Sequence, residues 1–444
     1  MSPTSKQGLE NVDGGHIVIC PFPFTCHPTA LFNLTIKLAT SSPQTDFSFL
    51  TTHTNKLSLL YPRNNNAPPP TNLKLHTISD GLPDHNNSAK EAADNHKNFY
   101  HMDRFNEAMP GNFKQGIDAA TKASNKKKKK ISYIIADALC AVGVAPMAKE
   151  MEVPWAALWV NAPFALHPFS QMDHIYQLSL QLLSPDDDHN QIIPGFSPLR
   201  FNDLPENSLQ PTGMPYLGPI MRALPEASAI VLNASREICC TPLSSSISFF
   251  LDGPDHKPQL GKLFFAGCLT LPSVLTTTPS SSSSLVNSDD DDGTIFPEGL
   301  MEKLPRGFVE RTREYGKVVP WVRQVEVLRH GAIGVQVTHC GYNSVLESIF
   351  GGVPLICRPV WADNHIVARW VEEVWDIGVG VEGGIFTKDG VCRCLAVVLG
   401  EEKGREMRAN VGALREKMLA AAGPNGSAGK DLEALLEMMM MHAG

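Results

Sequence analysis

The chain has no excess of basic charge, no long apolar run and no matched pair of cysteine motifs, and each absence excludes a class of function. Its 444 residues carry 38 Lys and Arg against 46 Asp and Glu, a net charge of −8 with a pI near 6.0. That balance argues against a nucleic-acid or anionic-membrane partner. No apolar run reaches the roughly 18–20 residues needed to span a bilayer. The start, MSPTSKQGLENVDGG, is polar and lacks the apolar core of a secretory signal. Ten cysteines are scattered, and Cys239–Cys240 and Cys392-x-Cys394 have no second pair with which to hold zinc. Free thiols in a reducing compartment follow, and with them a cytoplasmic protein without a metal. No internal repeat stands out.

What is present is the composition of a globular protein, 43% apolar and 19% charged. The length exceeds one ordinary core and predicts two domains. Ile17–Cys20 reads as a short buried strand, Pro28 to Thr40 as a helix and Phe47–Thr51 as the next strand. Strand and helix signals alternate to about residue 235, the pattern of a parallel sheet with crossover helices. Asn64 to Pro70 is a Pro-rich loop, and the five lysines Lys126–Lys130 read as a solvated loop before the strand Ile131–Ala136. Thr276 to Gly293, TTTPSSSSSLVNSDDDDG, is a low-complexity linker. Beyond it, Glu401 to Ala422 reads as a helix, Gly423–Gly429 as a turn and Lys430–Met441 as a last amphipathic helix. Gly378-Val-Gly380-Val-Glu-Gly383 fits a dinucleotide fingerprint but has no helix after it, so it is not read as one.

Chemistry concentrates between Trp321 and Asn364. The apolar run Ala332–Val337 reads as a buried strand, His339-Cys340-Gly341 as a tight turn and Tyr342–Phe350 as a helix. Free N–H groups of Gly341, Asn343 and Ser344, with the helix dipole behind them, would face a diphosphate. His339 adds a donor at the strand's carboxyl end, and Trp321 a face on which a base can stack. Ser344 and Glu347 also fit the spacing of a capping box. In the N-terminal half, His27 follows the strand HIVIC and precedes Pro28, a good first helical residue. A helix N-terminus favours the neutral imidazole that a general base needs. Asp137 ends the strand Ile131–Ala136, so both residues fall at a sheet's carboxyl edge.

The stretch from Trp321 to Asn364 resembles the signature box of plant UDP-dependent glycosyltransferases. HIVICPFPFTCHPTALFNLTIKLA, IIADALC, LPRGFVERTREYGKVVPW and GVGVEGGIFTKDG resemble the branch that acts on flavonoid 3-hydroxyls. The resemblance implies an α/β, GT-B-like fold, two Rossmann-like domains facing a cleft. Residues 1–15 would be a flexible start, 16–275 the acceptor domain and 276–293 the linker. Residues 294–425 would be the UDP-sugar domain, and 426–444 a helix packing back on the first domain. By resemblance His27 is the base and Asp137 its supporting carboxylate, in an inverting transfer of a hexose, glucose by default. Trp321 would stack on uracil beside the Val322 backbone and Gln324. Glu347 would hold the ribose, and His339, Gly341, Asn343 and Ser344 the diphosphate. Tyr342, Asp363 and Asn364 would line the sugar. The UDP-sugar is a co-substrate, no cofactor or metal is implied, the acceptor is a flavonol or anthocyanidin, and the protein is a monomer.

The chain departs from the family pattern in several places. Arg323 stands for the usual Pro, Tyr342 for Trp, Val160 for a sugar-contacting Thr, and Asn364 for Gln or His. The largest departure lies between Gly293 and Leu304, where the family carries a further strand, helix and strand. Roughly 45 residues are missing, about one crossover unit, and such a loss exposes the edge of a neighbouring strand. Three readings follow: a working UDP-sugar:flavonoid transferase, a catalytically impaired relative or non-catalytic flavonoid binder, and a transferase for another small acceptor such as a terpenoid or hormone.

Overall fold

The computed structural model describes residues 14–60, 68–81, 97–124, 129–184, 189–205, 208–209, 217–239, 262–271, 304–319, 322–400 and 402–442. The linker 276–293, most of the Pro-rich loop and of the lysine run, and Trp321 lie outside these residues.

Seven short strands make the first sheet. They are β1 (His16–Cys20), β2 (Asp46–Thr51), β3 (Leu73–Thr77), β4 (Ile131–Asp137), β5 (Trp155–Trp159), β6 (Ala229–Leu232) and β7 (Lys262–Phe265). All pair in parallel, in the order β3-β2-β1-β4-β5-β6-β7. HIVIC and AIVL have no polar alternation because helices cover both faces of such a sheet. Val18 and Cys20 join one core with Ile134 and Ala136, while Ile17 and Ile19 join the other with Leu31 and Phe47. The strand order runs outward in opposite directions from β1 and β4. The crevice at their carboxyl ends is therefore the switch point where open α/β sheets bind ligands.

The second sheet has three parallel strands among the described residues, β8 (Gln336–Thr338), β9 (Leu355–Cys357) and β10 (Gly378–Gly380), in the order β10-β9-β8. The strand predicted over Ala332–Val337 forms only from Gln336. Residues 331–335 instead make a turn and coil, with the Ile333 N–H on the His330 carbonyl. β8 pairs on one side only among the described residues, and Val337 is 50% exposed. A ladder on one flank holds a strand for fewer residues than two. The Gly378–Gly383 match is β10 followed by a single 3₁₀ turn, Glu382–Gly384, as the missing helix required.

The two sheets share an interior. Tyr342, Val345, Leu355 and Trp370 belong to the same cluster as Ile134 and Phe164, and Phe164 stacks on Trp370 with ring centroids 4.2 Å apart. Arg369 forks onto both oxygens of Asp203, each at 3.0 Å, and with Arg200 shares Glu373. The last helix, Ser427–Met440, returns to the first sheet and buries Leu435, Met438 and Met439 beside Ile17 and Ala229. It starts within the turn predicted over Gly423–Gly429, because extended Gly426 serves as N-cap and a glycine in a first turn costs only about 1 kcal/mol. No helix among the described residues is long and apolar enough to cross a membrane.

Candidate functional site

The switch point carries the pair read from the sequence. His27 opens the helix His27–Ser41 after β1, and Asp137 closes β4. His27 Nδ1 lies 2.8 Å from Asp137 Oδ2, and the other carboxylate oxygen accepts the Leu139 N–H at 2.9 Å. Asp137 is fully buried and His27 nearly so. A carboxylate can only accept, so Nδ1 carries the proton and Nε2 keeps its lone pair. One apolar ring flanks the imidazole: Phe22 meets it edge-on at 5.4 Å and also packs on Phe24 and Phe105.

Facing this pair is the helix Tyr342–Gly351. The turn before it holds Cys340 at φ 64°, a left-handed conformation uncommon outside glycine. Gly341 is the N-cap, and a Cβ there would lie 2.5 Å from His339 Nε2, so glycine leaves room for the imidazole. His339 is exposed, Gly341 half-buried. The capping box does not form. Ser344 Oγ and Glu347 Oε2 instead accept from Gln324 Nε2, at 3.2 and 2.6 Å. Burial raises the Glu347 carboxyl, and the Gln324 amide opposes the rise. Three of the predicted donor-side residues are thus brought together, with the half-buried Val322 two residues away in sequence.

Asn343 reaches across to the first sheet. Its Nδ2 donates to Cys26 Sγ at 2.8 Å, and its Oδ1 accepts from Asn233 Nδ2 at 2.8 Å and Thr270 Oγ1 at 3.2 Å. Asp363 does the same, accepting the Ala162 N–H at 2.9 Å. Burial raises its carboxyl, while the Ala162 and Asn161 bonds act the other way. Asn364 is buried and its Nδ2 has no hydrogen-bond partner among the described residues, an orphan amide donor of the kind a ligand hydroxyl satisfies. Tyr342 sits elsewhere than predicted. It is 3% exposed, packs edge-on against Phe164 and points its hydroxyl at Cys239 Sγ, so it fills the interior rather than an open wall. Burial raises its phenol well above the ordinary range.

Two residues escaped the sequence reading. Asn233 follows β6 and, fully buried, also accepts the Leu269 N–H at 2.7 Å. Its signal was available: a polar residue closing the apolar run AIVL at a carboxyl edge, the logic that found Asp137. Cys26 carried none beyond its place beside His27.

Comparisons with known proteins point to one family. The family described as UDP-glucoronosyl and UDP-glucosyl transferase matches residues 300–414. An anthocyanidin 3-O-glucosyltransferase of Vitis vinifera is 33% identical over 458 aligned positions, covering 96% of this chain and 97% of that one. An anthocyanidin 3-O-galactosyltransferase of Actinidia chinensis var. chinensis is 32% identical with the same coverage. The alignments exceed the 444 residues of the chain, so the relatives carry residues with no counterpart here. The crystal structure of a UDP-glucose:anthocyanidin 3-O-glucosyltransferase in complex with UDP superposes with a TM-score of 0.78 at 31% identity, over 97% of this chain and all of that one. The chain belongs to the UDP-glycosyltransferase family.

Proposed function

We propose that the protein transfers glucose from UDP-glucose to the 3-hydroxyl of a flavonol or anthocyanidin, with inversion at the anomeric carbon. The observation that carries this reading is the 2.8 Å His27–Asp137 pair at the switch point, with Phe22 against the imidazole and Phe24 and Phe105 packed on Phe22. Nε2 takes the proton of the acceptor hydroxyl, whose oxygen attacks the anomeric carbon as the bond to UDP breaks. Asp137 holds the tautomer and stabilises the imidazolium. The aromatic group fits a flat, apolar acceptor.

On the donor side Gln324 and Glu347 hold the ribose and Trp321 stacks on uracil. His339 and the N–H groups of Gly341, Asn343 and Ser344 stabilise the departing diphosphate. Asp363 and the orphan amide of Asn364 bind sugar hydroxyls, and Tyr342 acts through packing. The relatives and the UDP complex support this reading over the other acceptors, and the protein works as a cytoplasmic monomer with no metal. Incubation with UDP-glucose and quercetin should yield a β-linked 3-O-glucoside, identified by proton coupling at the anomeric centre. UDP binding without product over a flavonoid panel would overturn the acceptor assignment, and absence of both would make the chain a non-catalytic relative.

A further inference from the structure

Away from this site, a cavity of about 190 Å³ lies between the helix after β1, the loop after β7 and the last two helices. Lys37, Ser235, Cys268, Met418, Ala428 and Gly429 are among its lining residues. Its side-chain polar groups are the Lys37 amine, the Ser235 hydroxyl and the Cys268 thiol, and no carboxylate is among the lining residues. Burial holds the Lys37 amine below the ordinary lysine range, and no hydrogen bond or ion pair of it is found among the described residues. Cys268, beside it, is pushed up to about 12 by burial, so its thiol is neutral near pH 7. Ser235 is 1% exposed and its hydroxyl has no partner among the described residues.

The third contribution is the start of the helix Ser427–Met440. Its N-cap, Gly426, has no side chain with which to accept from the first turn, and no acidic residue lies in that turn. Ala428 and Gly429 line the cavity, and the Ser427 hydroxyl is a further buried group without a partner among the described residues. Asp431, one turn on, does not supply the missing charge. It is already taken by Arg236 at 2.9 Å and by the Phe265 N–H at 2.7 Å. An unpaired ammonium, an unpaired hydroxyl and an uncapped helix start around one cavity lack an acceptor in common.

We propose that this cavity is a binding site for a small tetrahedral oxyanion of the phosphate class, held by Lys37, Ser235 and the N-terminus of the helix Ser427–Met440. Lys37 and Ser235 belong to the part built on the first sheet. Met418 lies on the helix Lys403–Ala422, and Ala428 and Gly429 on the helix that returns from it. The anion therefore fastens the crossing of the chain back onto the first sheet.

The test is thermal unfolding of the full chain saturated with UDP, which keeps phosphate from acting through the donor site. Sodium phosphate is titrated against sodium chloride at constant ionic strength. Wild type should show a rise in Tm that grows with the logarithm of phosphate concentration above Kd and reaches about 2–4 °C once phosphate exceeds Kd about a hundredfold. Sulfate should reproduce it, and acetate should not. Lys37→Met should lose the response and, without phosphate, melt no lower than wild type. Gly429→Glu should lose it independently, because a Cβ at Gly429 meets open space and the new carboxylate takes the anion's place. No response in wild type, an equal rise with acetate, or an equal response in Gly429→Glu would each overturn the assignment.

Discussion

Replacing Asp137 by Asn probes the site with almost no change of shape. The carboxylate makes two bonds, to His27 Nδ1 at 2.8 Å and to the Leu139 N–H at 2.9 Å, and both partners donate. An asparagine has one oxygen and one amide nitrogen, so it serves only one of them. If the oxygen stays on Leu139, the amide faces Nδ1, which must then accept, and the ring proton moves to Nε2. That nitrogen can no longer take a proton from the acceptor. If the amide flips, two donors meet at Leu139, leaving a buried N–H unpaired at a cost of about 1–3 kcal/mol. Either arrangement also loses the charge that stabilises the imidazolium. The expected fall in kcat is about 10²–10⁴-fold, a barrier rise of about 3–5 kcal/mol. UDP affinity should stay within about threefold, because no UDP contact is assigned to Asp137, and a threefold change is only about 0.65 kcal/mol. The assay is initial-rate UDP release with quercetin, beside calorimetry of UDP binding and a melting curve. A folded Asp137→Asn chain that keeps more than about a third of wild-type kcat would refute the tautomer argument, since a threefold loss needs under 1 kcal/mol.

Three further outcomes are expected. His339→Ala removes a donor aimed at the leaving diphosphate and should cost about 3 kcal/mol, roughly a hundredfold in turnover, with weaker UDP binding by calorimetry. Asn364→Gln lengthens the orphan amide and should raise turnover with UDP-glucose; an unchanged ratio of glucose to galactose use would remove Asn364 from the sugar. His16, buried and held near pKa about 4 chiefly by desolvation, stays neutral when folded and takes a proton near 6.5 when unfolded. Its contribution is present above pH 6.5 and is lost as pH falls to about 4. It is worth up to about 3 kcal/mol, from 2.5 pKa units at 1.36 kcal/mol each. Urea midpoints at pH 7.5 and 4.5 should therefore converge more for His16→Gln than for wild type.

The first sheet was legible because short apolar runs such as HIVIC and ISYIIAD alternate with helical stretches, the pattern of a parallel sheet. Asp137 was legible as the end of a strand and His27 as the start of the helix after one, though their contact is a property of the strand order, since 110 residues separate them. The second sheet was less so. Apolar Ala332–Val335 has the composition of a strand, yet with no partner on that flank among the described residues only Gln336–Thr338 pairs. Tyr342 was misplaced because aromatic character says nothing about which side of a helix start meets Phe164. The bonds from Asn343 to Cys26 and from Ala162 to Asp363 arise where two sheets meet, and no local pattern encodes them.

The central claim is that His27 takes the acceptor's proton, and the most direct measurement compares wild type with His27→Ala for quercetin or cyanidin turnover with UDP-glucose. Wild type should form product, and His27→Ala should do so about 10²–10⁴-fold more slowly, the usual worth of a positioned general base, with UDP binding nearly unchanged by calorimetry. Equal turnover by the two chains would contradict the account.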